Sequence, residues 1–129
     1  MTLKMRIIFI CSSLEPGRDG VGDYTRRLAV SLIKAGHRAM AIALNDKYVE
    51  RESAATQRAD GYELNVLRFP AVWSSTKRFN RAKEGVVTFN PEWLSLQFVL
   101  YAYNPKGIPF ALGKKLKELG SKRKWHIPL

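Results

Sequence analysis

Between Cys11 and Thr25 the chain reads Ser12-Ser13-Leu14-Glu15-Pro16-Gly17-Arg18-Asp19-Gly20-Val21-Gly22-Asp23-Tyr24. A glycine-rich segment that joins an apolar strand to a helix leaves backbone N–H groups free at the helix N-terminus. Such groups hold a phosphate oxygen or a sugar hydroxyl. Gly20, Val21, Gly22, Asp23 and Tyr24 are therefore the first candidate binding residues, because only glycine lets a backbone come so close to a ligand. Asp23 sits favourably at the positive end of the helix dipole. A plain cap for Asp23 and a packed aromatic for Tyr24 stand beside that reading.

Three chemistries compete for this loop. Gly20-Val21-Gly22-Asp23-Tyr24-Thr25 half satisfies the dinucleotide fingerprint, but Thr25 stands where the third glycine belongs, and Asp23 would put negative charge beside a pyrophosphate. No P-loop sequence occurs anywhere in the chain. Ser12 and Ser13 lack the nucleophile elbow and a nearby histidine, which argues against a hydrolase. Two histidines far apart and a single cysteine supply no zinc spacing, and the scattered carboxylates form no calcium loop, so no metal is expected. Cys11, at a strand end, reads either as an activated thiol or as an inert buried one.

The elements that must position this loop follow from periodicity. Arg6 to Cys11 is a short, β-branched apolar run, the pattern of a strand covered on both faces. Gly22 to Ala35 places Tyr24, Leu28 and Leu32 at four-residue steps, with Arg26, Arg27 and Lys34 elsewhere, and Gly36 ends this helix. Strands follow at 37–44 and 63–69, with a polar, irregular stretch at 45–62 between them. Ser74 or Ser75 caps a basic helix to about Val87, and Asn90-Pro91 breaks the chain before a strand at 93–99. Pro109 opens a third helix with Leu112, Leu116 and Leu119 on its apolar face and Gly120 as a left-handed cap, and Trp125 begins a last strand. This order predicts an α/β fold: a doubly wound, Rossmann-like, mostly parallel sheet whose ligands bind beyond the carboxyl ends of the strands.

With 129 residues and 46% apolar content, the chain is read as one domain over 1–129, stopping within its last strand. One cysteine excludes a disulfide scaffold, so a reducing cytoplasm is the expected setting. No export signal and no membrane-spanning run is present, which leaves peripheral contact with a membrane. A formal charge of +11 favours a polyanionic partner or an anionic lipid surface. Basic clusters at 77–83, 114–117 and 122–124 raise the alternative of a small nucleic-acid-binding or interaction protein. The thin aromatic interleaving there argues against nucleic acid.

The run Met5-Arg6-Ile7-Ile8-Phe9-Ile10, then Asp19-Gly20-Val21-Gly22-Asp23-Tyr24, then Leu28-Ala29 and Leu32, then Ala35-Gly36-His37, resembles the opening of retaining glycosyltransferases of the GT-B fold, family-four type. Leu96-Gln97-Phe98 and Asn104-Pro105-Lys106-Gly107 resemble the fourth strand and following loop of a bacterial subset. The likeness runs from about Met5 to the end and is specific mainly over Gly20 to Leu44. It implies the N-terminal, acceptor-side half of an enzyme that moves a sugar from a nucleotide-sugar to a glycan or lipid acceptor, with the loop at Gly20–Gly22 facing the interdomain cleft, near the donor phosphates and the acceptor. Gln97, Tyr101 and Tyr103 would line the acceptor pocket, or pack. The donor-binding C-terminal domain, with its Glu-x7-Glu motif, is absent, so this chain alone is expected to be inactive, with no cofactor beyond the donor substrate. Glu84 and Glu92 share that spacing by chance, His37 reads as a turn residue and His126 as structural or solvent-facing. No catalytic residue is assigned. A stand-alone nucleotide-binding module remains the other reading, and an exposed terminal strand would permit self-association.

Overall fold

Isoleucines and a phenylalanine with no polar interruption suit the middle of a parallel sheet, and Arg6–Cys11 forms that central strand, β1. The computed structural model describes residues 4–97 and 110–128. After β1 come α1 (Gly20–Lys34), β2 (Arg38–Asp46), β3 (Ser53–Ala59), β4 (Tyr62–Pro70), α2 (Ser75–Phe89), β5 (Trp93–Leu96), α3 (Phe110–Gly120) and β6 (Lys124–His126). They build a six-stranded sheet in the order β3-β4-β2-β1-β5-β6. All neighbours are parallel except β3 and β4. The order reverses between β1 and β5, so the switch point of the sheet lies at the carboxyl ends of these two strands.

Each face has its own core. Ile7, Phe9, Cys11, Ala41, Ala43, Leu64 and Val66 meet Ala29 and Val30 of α1. Ile8, Ile10, Met40, Ile42, Leu94 and Leu96 point the other way, against Phe79, Ala82 and Val86 of α2 and Leu116 and Leu119 of α3. Alternate residues of β1 thus feed opposite layers, as the period of a strand requires. The expected α/β doubly wound, mostly parallel, Rossmann-like sheet is the architecture found.

Several expectations need correction. The stretch 45–62 is not irregular: it holds β3, which pairs with β4 through a two-residue turn at Asp60-Gly61, both with positive φ (50° and 83°). An Asp-Gly pair favours this turn, but the polar residues of an exposed edge strand masked its period. The buried face of α1 is Gly22, Thr25, Arg26, Ala29 and Val30, rotated from the stripe through Tyr24, which is 53% exposed. Arg26 is turned inward because its guanidinium finds polar partners there. Gly120 lies inside α3, and Ser121 carries the left-handed φ of 54° instead. A Cβ on Gly120 would come within 2.5 Å of the Trp125 indole, so this glycine serves packing rather than a turn.

Candidate functional site

The loop from Ser12 to Asp19 leaves β1 at the switch point and enters α1, and its shape is held by a fully buried carboxylate. Asp46, at the end of β2, accepts from Ser13 Oγ (3.1 Å), Leu14 N (3.1 Å), Tyr48 N (3.0 Å) and Arg68 Nε (2.8 Å). Arg68 also pairs with Glu15. Burial pushes the Asp46 carboxyl up, but the bonds from Arg68 and from the Leu14 and Tyr48 N–H groups outweigh it and hold it below the usual carboxylate range. From the other side Arg26 Nη2 (2.8 Å) and Gln57 Nε2 (2.9 Å) both donate to the Leu14 carbonyl, while Arg26 Nε donates to Gln57 Oε1 (2.6 Å). The loop is thereby tied to β2, β4, α1 and β3, a preorganised edge rather than a free flap.

The glycines divide into structural and open positions. A Cβ on Gly22 would stand 2.2 Å from the Ser13 carbonyl oxygen, so this residue lets α1 press against the loop backbone. Gly17 has a φ of 75° and needs the left-handed region. Gly20 has neither reason: its φ is ordinary and nothing lies within 4 Å of a Cβ built on it. Asp19 caps α1 by accepting from Gly22 N (2.8 Å). Asp23 accepts from Arg26 Nη1 (2.8 Å) and Gly17 N (3.0 Å), and those two bonds, Arg26 first, hold its carboxyl below the usual range. Val21 is half-buried and Tyr24 projects into solvent. Two carboxylates therefore stand at the N-terminus of α1, which suits donors such as hydroxyl groups and opposes a phosphate.

Gln97 lies at the carboxyl end of β5, next to β1, where its N–H donates to the Ile10 carbonyl (2.7 Å). Its buried amide donates to Ser95 Oγ (2.8 Å), and that hydroxyl is 2.8 Å from His126 Nδ1. The structure thus places Gln97 beside the loop strand but engages its side chain within the sheet. Tyr101 and Tyr103 lie outside the described residues. His37 Nδ1 accepts the Met5 N–H (3.0 Å) at the amino end of the sheet, a turn role remote from the loop. Glu84 pairs with Arg81 on α2, while Glu92 accepts from Arg6 N (3.2 Å), so the two share no site.

Cys11 is fully buried, its thiol pushed far up by burial and, secondarily, by the charges of Asp19 and Asp46, which makes it inert. Among the described residues no three His, Cys, Asp or Glu side chains converge as a metal site, and no helix is long and apolar enough to cross a membrane. Sequence reasoning missed Asp46, Arg68 and Arg26. An acid closing an apolar strand run, as Asp46 closes β2, was the available signal. No family model matches the chain, and no curated protein or solved structure does either.

Proposed function

We propose that this chain is the acceptor-side α/β portion of a GT-B type glycosyltransferase, with the loop entering α1 facing the cleft where a sugar passes from a nucleotide-sugar to an acceptor hydroxyl. The observation that carries this reading is Gly20, a glycine at the switch point that serves neither packing nor a turn and leaves backbone open to a ligand. Asp19 and Asp23 beside it favour a neutral, hydroxyl-bearing acceptor over a phosphate. The same geometry weighs against the dinucleotide reading, since Asp46, at the strand end where a ribose-binding acid belongs, already accepts four hydrogen bonds within the protein.

By the resemblance, the donor is held by a C-terminal domain outside these residues. The 129-residue chain by itself is therefore expected to turn over no nucleotide-sugar. A basic surface resting on anionic lipid would suit an enzyme with a lipid-linked acceptor. The test is an amide-resolved NMR titration with neutral oligosaccharides and, separately, NAD and NADP. Shifts at Gly20, Val21 and Gly22 with an oligosaccharide, lost in Gly20→Val, support the reading. Shifts at these amides with a dinucleotide and none with any glycan would overturn it.

A further inference from the structure

β3 forms one edge of the sheet, and its outer side meets no other strand among the described residues. Its register with β4 runs unbroken from Ser53 opposite Arg68 to Ala59 opposite Tyr62. In a hairpin closed by a two-residue turn, the flanking residues form a hydrogen-bonded pair and the ladder then alternates. Ala59, Gln57, Ala55 and Ser53 accordingly bond inward to β4, whereas Arg58, Thr56 and Ala54 turn their N–H and C=O groups outward.

Edge strands are ordinarily shielded by shortness, lysine, proline or a bulge. The opposite edge, β6, uses two of these, being three residues long and beginning with Lys124. β3 uses none. It runs seven residues as Ser-Ala-Ala-Thr-Gln-Arg-Ala, and its exposed Ala54, Ala55 and Thr56 are too small to screen the backbone. Its longer polar side chains are engaged within the chain, Gln57 with Arg26 and Arg58 with Glu63.

We propose that β3 is a self-pairing edge, through which two copies of this chain join antiparallel about a two-fold axis and fuse their six-stranded sheets into one. An axis normal to the sheet keeps every side chain on its own face, so the centre of pairing must fall on a residue. Centred on Ala55, the outward groups of Ala54 meet those of Thr56 from the second copy, Ala55 meets its own counterpart, and Glu52, held by Arg81 of its own chain, comes opposite Arg58, held by Glu63. Only Glu50 and Asp60 face each other as like charges, in solvent beyond the last pair. A centre on Thr56 would bring Glu52 against Asp60 at the strand end, a repulsion that the Ala55 register avoids.

Sedimentation equilibrium of the full chain tests this. The expected result is a concentration-dependent dimer whose dissociation constant rises about tenfold or more in Thr56→Pro, which deletes an outward N–H without touching the ladder to β4. Thr56→Lys, at an exposed position and with an unchanged circular dichroism spectrum as its control, is expected to weaken the dimer likewise. Directly opposed, non-hydrogen-bonded residues lie about 4.5 Å apart at Cα, within disulfide range, so Ala55→Cys should form a covalent dimer under mild oxidation. The wild type, with its one cysteine buried, should form none. A wild-type protein monomeric at every concentration, or a dimer indifferent to both Thr56 variants, would overturn the proposal. Absence of the Ala55→Cys cross-link in a dimer that the Thr56 variants do weaken would overturn the register.

Discussion

Helices α1 and α2 both begin at the carboxyl edge of the sheet, after β1 and β4, and present the same free backbone N–H groups, yet their side chains treat that positive end in opposite ways. At α1 the cap is Asp19 and the first turn carries Asp23. At α2 the cap is Ser74, which accepts from Lys77 N (3.1 Å), and the first turn has no acid. Lys77 instead lies 3.8 Å over the Trp73 ring, Arg78 donates to the Trp73 and Leu44 carbonyls, and Lys115 donates to Ser75 Oγ. Burial lowers the Arg78 guanidinium from its usual range, with no carboxylate to offset it. The comparison teaches that a helix N-terminus does not by itself define a ligand. The loop with the glycines compensates its own dipole and suits neutral hydroxyls, while the basic helix has no acid in its first turn, and Lys77 and Arg78 there meet a ring and carbonyls rather than carboxylates.

The largest expected effect separates two glycines of α1. Gly22→Ala should cost about 3 kcal/mol or more by urea denaturation, because the new Cβ meets backbone that cannot yield. Gly20→Ala, in open space at the first helical position, should be neutral or stabilise by a few tenths of a kcal/mol. Equal losses at both positions would erase the distinction between a packing glycine and an open one.

Next comes the carboxylate that fixes the loop at α1 and has no counterpart at α2. Asp46→Asn should cost about 2 kcal/mol, since it leaves Arg68, with a side chain only 12% exposed, short of its buried partner. The sign of its pH dependence follows from a carboxyl held low in the folded state. Its contribution is complete above the ordinary aspartate value of 3.8 and is lost as the pH falls through the lower native value. Thermal unfolding from pH 6 to pH 2 should therefore show a shallower acid limb in the variant.

The two caps give a smaller effect. Asp19→Ala and Ser74→Ala should each cost about 1 kcal/mol. Raising the salt concentration should shrink only the Asp19 loss, because that cap alone adds a charge to its hydrogen bond. The smallest effect tests the acid-free first turn directly. Thr76→Glu in the first turn of α2 should stabilise by about 0.5 kcal/mol, whereas Val21→Glu in the already acidic turn of α1 should not. Differential scanning calorimetry resolves both, and a gain at α1 matching that at α2 would contradict the electrostatic contrast.

Much of this arrangement was legible in the residues. Arg6–Cys11 could only be a buried strand, Ser74 or Ser75 marked the start of α2 and Asn90-Pro91 a break beyond it, and the loop at Gly20 was visible as a candidate before its surroundings were. Other features were not. β3 was hidden because an edge strand in solvent has no apolar face to betray its period, leaving Asp60-Gly61 as its sole signal. Arg26 and Tyr24 exchanged their expected places because a hydrophobicity pattern cannot foresee the Gln57 amide oxygen and the Leu14 carbonyl that meet the Arg26 guanidinium inside.

What the sequence determined by itself was therefore local: most of the strand and helix runs, the cap that opens α2, and that a glycine loop follows the first strand. Short-range sterics and the alternation of apolar residues decide those matters within a few positions. Only the tertiary structure decided which glycine is open, because the clash at Gly22 comes from a carbonyl nine residues back at Ser13 and the emptiness at Gly20 is a property of everything around it. It also decided that Asp46 holds the loop rather than greeting a ligand, since its partners Leu14 and Arg68 converge from distant stretches of chain only once the sheet is assembled.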